Sequence, residues 1–428
     1  MNFKLSKYIV PSVISMVLVS TYTNIDGLFI GVVLGDVGIA AINFAWPIVA
    51  LITSLGTGIG VGGSVIINNL RGKGESERAE LVKTSLVVLL AITGVISSVI
   101  LYFLSAPLLN LMGTTQDAFS YALDYSKIVA LGSFFQIMGA GLVALLRNEQ
   151  KTYFSMACCV MGLAVHIVLD VLLVNKYTLA GVALSTVISQ AVIMAMCFFP
   201  LRFKVKGNLS FKVMPAILKA STSPIGINFV PSVVLLFTNL FAGIAGGTVA
   251  VSAYGVMSYA VYTLDYIFQG VCDGVQPVIS YAHGANDKEN HDRALKVSAF
   301  LLIAFSLAFI CLTPLLVYGM PKLFSISQVG ASIMKTGFYI YAVSYLFKAT
   351  VKYIGSYYYA VGKTWISNAL IYIDPLFFSP LTLFLFPMFM GLNGIWWSLT
   401  VSQIIVAGLG VLSVLFLKKT ASKKTNEN

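Results

Sequence analysis

Apolar runs of about twenty residues recur along the whole chain, broken only by short polar stretches, and that is the length one helix needs to cross a bilayer. Twelve such helices are expected, beginning near Tyr8, Ile39, Leu81, Asp117, Tyr153, Leu179, Pro215, Val249, Ala294, Ala331, Trp365 and Leu392. At about 35 residues per span with its connection, 428 residues leave almost nothing for a soluble domain. Composition agrees. The chain is 58% hydrophobic and 10% charged, with a mean hydropathy of +0.89, whereas soluble domains carry about 25% charged residues. The expected class is therefore all-α integral membrane. The fourth and tenth runs are longer than a bilayer requires, so tilt is expected there.

Charge sets the orientation. Of 27 Lys and Arg residues, 21 fall on one set of alternate loops, and only Lys176, Lys322 and Lys335 fall on the other. Basic loops stay in the cytoplasm, so both termini are expected there, as an even number of spans requires. A net charge of +11 is then a topological signal, and no nucleic-acid partner is expected. The five cysteines, Cys158, Cys159, Cys197, Cys272 and Cys311, are odd in number and lie inside apolar runs. No disulfide framework, zinc site or cofactor is expected from them. Lys4 and Lys7 precede an apolar run that is too long for a signal peptide and lacks a small-residue cleavage site, so it reads as an uncleaved first span.

The chain also repeats itself. Lys151-Thr152-aromatic returns as Lys363-Thr364-aromatic, Gly58 and Gly62 as Gly270 and Gly274, and Pro11 as Pro224, all at a shift of 212 or 213. Gly181, Ser185 and Gln190 return as Gly394, Ser398 and Gln403. Each half holds six spans, so both halves insert with one orientation and are related by an axis along the membrane normal. The expected division is residues 1–200 for the first lobe, a basic linker at 201–214, a second lobe at 215–417, and a basic tail at 418–428.

Ionisable groups inside a bilayer are costly and usually face a cavity. Here they are few: Asp26; His166 and Asp170; Asp265 and Asp273; Lys348 and Lys352; Asp374; and, toward the end of the fourth span, Asp124 and Lys127. Asp26 and Asp170 are candidates for one shared site, since two buried carboxylates side by side can hold and release a proton near neutral pH. The plainer reading is hydrogen bonding between helices. His166 and Asp170 share a helix face at i, i+4, as a proton relay or as a packed pair. Lys348 and Lys352 are expected to pair with Asp265 or Asp273, the sharper alternative being contact with an anionic part of a substrate. Asp124 and Lys127 are expected to pair at the interface, and Asp36 to be a solvated loop charge.

At this point the residues resemble a known family. The run Asn24, Asp26, Gly27, Phe29, Gly31 and Gly35 is similar to the first-span motif of multidrug and toxic compound extrusion (MATE) transporters. Gly274, Gln276, Pro277, Tyr281 and Gly284, followed by Ala285 and Asn286, resemble the stretch after the eighth span in the bacterial drug-efflux branch. Leu146-Arg147-Asn148, Leu169-Asp170 and the Ser185-Thr186 to Gln190 segment also fit. The resemblance implies two six-helix bundles in a V, open alternately to each side, and the export of bulky, often cationic drugs in exchange for protons or sodium. It also implies a first-lobe cation site at Asp26, Asp170, His166 and Thr186, with His166 standing where relatives carry Asn. Sodium wants oxygen ligands, so an imidazole there favours protons.

Substrate-cavity candidates are Gln136, Asp265, Gln269, Asp273, Lys348, Lys352 and Asp374. Lys348 takes the place of Gln136 in the repeat, which adds a positive charge to the second lobe. The implied setting is the cell membrane, with lipid and a drug-like molecule as partners and one chain as the working unit. A flippase for lipid-linked precursors, built on a related fold, is the alternative; the two lysines favour it, and the match at Gly274–Asn286 argues against it. A membrane-embedded enzyme is disfavoured, because no metal-ligand cluster, nucleotide loop or sizeable soluble loop is present.

Overall fold

The structure is a computed structural model that describes residues 4–114, 116–201, 209–324 and 326–426. Residues 202–208 of the basic linker, the side chains of the tail lysines, and that of Asp36 lie outside what it describes. The described chain is helical: α1 (Ser6–Gly72), α2 (Ser76–Leu111), α3 (Gln116–Leu131), α4 (Ser133–Asn148), α5 (Thr152–Phe198), α6 (Met214–Ala285), α7 (Lys288–Leu323), α8 (Gln328–Ala342), α9 (Tyr345–Ala360), α10 (Thr364–Ile373), α11 (Ser379–Met390) and α12 (Leu392–Asn426). A π-helical turn at Asp374–Phe378 joins α10 to α11. In hydrocarbon every backbone polar group needs an internal partner, and continuous helix supplies it.

Divided at their breaks, the described helices are consistent with twelve crossings. Two segments of α1, Ser6–Gly27 and Ala40–Gly72, are each long and apolar enough to span. The 47-residue α5 breaks at Thr178 (φ 51°) and the 72-residue α6 at Gly247 (φ 64°), so each makes two crossings. Both breaks fall beside the expected span starts at Leu179 and Val249. Glycine tolerates the left-handed region that Gly247 occupies, whereas Thr178 is strained there.

The fourth and tenth spans differ from the expectation of simple tilt. The fourth is bent by 57° between α3 and α4, around Gly132. The tenth is interrupted between α8 and α9, around Ser344. A run longer than the bilayer can be accommodated by breaking as well as by tilting.

The repeat is visible in the element bounds themselves. Helices α2 and α7 are offset by 212 at both ends (288 − 76 and 323 − 111), and so are α4 and α9 (345 − 133 and 360 − 148). The echoes also explain their own change of step. Lys151 and Lys363 are 212 apart, whereas Gly181 and Gly394 are 213 apart. Between them the second half carries the π turn at Asp374–Phe378, and a π turn is a one-residue insertion in a helix.

Two apolar cores result. One gathers Ile30, Ile52, Leu86, Leu142 and Leu179 from the first six crossings. The other gathers Met257, Phe268, Phe338, Tyr345 and Trp396 from the last six, and reaches across to Ile9, Val61 and Ala144. Large apolar side chains such as Val95, Phe103, Leu172, Phe300, Leu315 and Phe389 cover the outside, as a surface facing lipid requires.

The halves meet along a glycine seam near the ends that carry the basic loops. A Cβ at Gly58 would stand 2.7 Å from the Ile225 backbone nitrogen, and one at Gly62 would stand 2.6 Å from Ser221 Cα. On the other flank a Cβ at Gly270 would stand 2.6 Å from Val13 Cα, and one at Gly274 would stand 2.7 Å from Ile9 Cα. Subtracting 212 from Ile225 and Ser221 gives Val13 and Ile9, so the seam is one contact made twice about the pseudo-twofold axis. Gly72 and Gly284 extend it toward the loops, against Ala285 and Asn69. Backbones this close pack the two halves directly against each other at that end of the described residues.

Candidate functional site

Asp26 on α1 and His166 and Asp170 on α5 come together inside the first bundle. His166 Nε2 lies 2.7 Å from Asp26 Oδ1 and 3.1 Å from Asp170 Oδ2. Asp26 is 7% exposed, and His166 and Asp170 are 0% exposed. The i, i+4 spacing on α5 stacks His166 over Asp170, and α1 delivers Asp26 from 140 positions away.

Only Asp26 of the three borders the central cavity, so His166 and Asp170 stand behind it. His166 Nδ1 and both Asp170 oxygens lack a well-directed hydrogen bond among the described residues. The edge of the Tyr22 ring packs on the imidazole at 4.9 Å, and Ser185 and Tyr125 adjoin the carboxylates. One donor atom from each of the three residues lies within 4.8 Å of the others, a spacing that could also hold a cation. Thr186 borders the cavity, but its hydroxyl donates to the Val182 carbonyl at 3.1 Å. Sequence spacing alone does not mark Tyr22, Tyr125 or Ser185, because their role comes from packing.

The central cavity, about 140 Å³, lies between the halves and is lined by Asp26, Thr53, Gln136 and Arg147 from one side and by Asp265, Gln269 and Lys352 from the other. A second cavity of about 100 Å³ lies within the second bundle, lined by Asp265, Lys348, Asp374, Tyr254 and Tyr341 among others. Pro231, Tyr262, Asp265 and Lys352 border both. Asp273 lines neither cavity.

The repeat extends to the polar pairs. In the first half Gln136 Nε2 donates to Thr53 Oγ1 at 2.9 Å. In the second, Lys348 Nζ donates to Asp265 Oδ2 at 2.8 Å, and both residues are shifted by 212 (348 − 136 and 265 − 53). One neutral contact is thus matched by one ion pair. Lys352 does not share in it, because its ammonium donates to the Asp265 main-chain carbonyl at 2.9 Å and has no carboxylate within ion-pair distance among the described residues.

Asp273 is instead taken by Arg147 of the first half, at 3.1 Å with both side chains buried, and Gln269 Nε2 donates to its other oxygen at 2.7 Å. Asp374 opens the π turn and accepts from Ser379 Oγ at 2.9 Å and Gln403 Nε2 at 2.5 Å. The expected Asp124–Lys127 pair is not formed. Asp124 is exposed without an ion pair among the described residues, and the Lys127 ammonium sits 5.6 Å from the Tyr102 ring centre, where a cation is attracted to the π face.

The Gly274–Gly284 motif runs along the seam. Gln276 donates to Ser280 at 3.0 Å, and Ser280 donates to the Ala360 carbonyl at 2.9 Å, tying α6 to α9. Pro277 lies within the same helix. Tyr281 packs with the second core.

Twelve crossings in two pseudo-symmetric bundles around a central cavity are the architecture of an alternating-access carrier. Residues 11–172 and 224–373 match the MatE family model, and the chain belongs to that family: it is a multi-span membrane transporter and not an enzyme. Among its curated relatives, Multidrug export protein MepA of Staphylococcus haemolyticus (strain JCSC1435) is 28% identical over 430 residues, covering 95% of this chain and 92% of the relative. MepA of Staphylococcus aureus (strain MRSA252) is 24% identical over 438 residues, covering 97% and 94%. A solved structure described as "Outward-facing conformation of a multidrug resistance MATE family transporter of the MOP superfamily" matches with a TM-score of 0.88 at 21% identity, covering 95% of this chain and 94% of that one. At that identity the likeness speaks for the fold.

Proposed function

We propose that this protein is a secondary antiporter of the cell membrane that exports bulky organic drugs, often cationic, in exchange for protons. The observation that carries the reading is His166 Nε2 held between the carboxylates of Asp26 and Asp170, with only Asp26 at the cavity wall. The imidazole nitrogen lies 2.7 Å from one acid and 3.1 Å from the other, so a proton that reaches Asp26 from the cavity has His166 and then Asp170 as its next acceptors. An imidazole in place of an amide carbonyl removes an oxygen ligand that sodium would want, which favours the proton over sodium.

The bias of basic residues supports placing the glycine seam at the cytoplasmic side, so the conformation described here is sealed inside. Residues 1–200 and 215–417 act as the two lobes and 201–214 as the linker. Proton and drug each favour one of the two open states, and they exchange through that shared equilibrium. Each tenfold difference in proton affinity between the states supplies about 1.4 kcal/mol of bias.

The test uses purified protein in liposomes, with a panel of fluorescent dyes and with proton and sodium gradients imposed separately. Dye transport is expected to follow the pH gradient. Transport driven by sodium alone, with no response to pH, would overturn the coupling assignment.

A further inference from the structure

At and below the central cavity three cations, Arg147, Lys348 and Lys352, stand beside two carboxylates, Asp265 and Asp273, while Asp26 on the opposite wall is engaged by His166. Lys348 is matched by Asp265 and Arg147 by Asp273. Lys352 is left over: its ammonium donates to a main-chain carbonyl and has no carboxylate at ion-pair distance among the described residues. Arg147 also retains donors. Its Nη2 serves Asp273, while Nη1 is buried with no hydrogen-bond partner among the described residues. Each guanidinium Nη carries two N–H donors and an ammonium three, so the two on Nη1 and two of the three on Lys352 have no hydrogen-bond partner among the described residues. Both residues line the same cavity, one from each half.

From this we infer that Lys352 and Arg147 form an anion subsite, and that the transporter favours substrates carrying a carboxylate alongside their cationic or aromatic body. The inference rests on the export reading and narrows its substrate class. It assigns a job to each wall of the cavity: Asp26 faces the cationic part from the first half, and the floor receives the carboxylate. Gln269 Oε1, a buried acceptor without a partner among the described residues, is available to an N–H of the same ligand. Asp273 is the built-in competitor of the carboxylate, since both present an anion to Arg147. Closing the floor brings Asp273 onto Arg147 and so favours release of the substrate's acid group on the open side.

The experiment compares a rhodamine bearing a free carboxylate with its methyl ester, in proteoliposomes with the membrane potential clamped at zero. In Lys352→Gln the ratio of carboxylate-dye transport to ester transport is expected to fall about tenfold from the wild-type ratio, and Lys352→Arg is expected to restore most of it. An unchanged ratio in Lys352→Gln would overturn the subsite. A wild-type protein that moves neither dye would overturn the export reading itself, which is a separate result. Tail-labelled phosphatidylglycerol in the same vesicles gives the last arm. If wild type flips it, Lys352→Gln does not, and the dye ratio is constant, the anion is a lipid phosphate and the carboxylate assignment fails.

Discussion

Arg147 and Asp273 lie 126 positions apart in the chain, yet they form a buried ion pair at 3.1 Å that ties the two halves together beneath the central cavity. The repeat does not duplicate it: the counterpart of Asp273 is Val61 (273 − 212) and that of Arg147 is Tyr359 (359 − 212 = 147), whose hydroxyl is buried without a partner among the described residues. The pair is thus a single clasp laid over a symmetric seam.

Removing one partner of such a pair strands the other charge, at a cost of about 3–5 kcal/mol. Asp273→Asn or Arg147→Gln alone is expected to lower the melting temperature of the detergent-solubilised protein. The Arg147→Gln/Asp273→Asn double variant is expected to recover most of the loss. A thermal double-mutant cycle measures the coupling, and additive losses would show that the clasp contributes nothing beyond its separate side chains.

The glycine seam makes a second, independent demand. A side chain at Gly274 must share space with the Ile9 backbone, 2.7 Å from its Cα, and backbone cannot swing aside as a side chain can. Gly274→Val is expected to hold the sealed end open. Maleimide labelling of a Ser221→Cys reporter from the side bearing the basic loops reads this, and several-fold faster labelling is expected. An unchanged rate would mean that the seam closes by some other contact.

Much of this frame is legible in the chain. Gly58, Gly62, Gly270 and Gly274 stand out as echoes before any coordinates are known, and the breaks at Thr178 and Gly247 fall where apolar runs restart. Periodicity tells which residues share a helix face, as with His166 and Asp170. It does not tell which other helix that face meets, so the meeting of Asp26 with His166 and of Arg147 with Asp273 emerges only from packing. Local pairing rules also mislead where an aromatic ring competes, which is why Lys127 chooses Tyr102 over Asp124. The π turn under Asp374 is foreshadowed only by the repeat slipping from 212 to 213.

The carboxylate–imidazole–carboxylate group predicts different roles for its members. Asp26→Asn and Asp170→Asn are each expected to abolish pH-driven efflux with expression intact, because either change removes one acid from a site that works with two. Retained pH-driven transport in reconstituted vesicles for either variant would remove that acid from the coupling path. His166→Asn restores an amide oxygen, and transport is expected to become more responsive to external sodium. Initial rates at varied sodium and fixed pH measure this, and a flat response would count against the ligand argument.

The pair Lys348–Asp265 and its counterpart Gln136–Thr53 hold the same position in the two halves, so the fold already tolerates a neutral version of the contact. Lys348→Gln alone leaves Asp265 at the cavity border without its cation. Because that border retains some contact with water, the expected loss is moderate, on the order of 2 kcal/mol. The double variant Lys348→Gln/Asp265→Thr copies the first-half pair into the second half and is expected to regain nearly all the lost stability by thermal unfolding. If the double variant instead remains as unstable as the single one, the ion pair is needed for the second bundle itself. Transport by a stable double variant then isolates the charge: intact pH-driven efflux would place coupling wholly in the first bundle, where Asp26, His166 and Asp170 remain untouched.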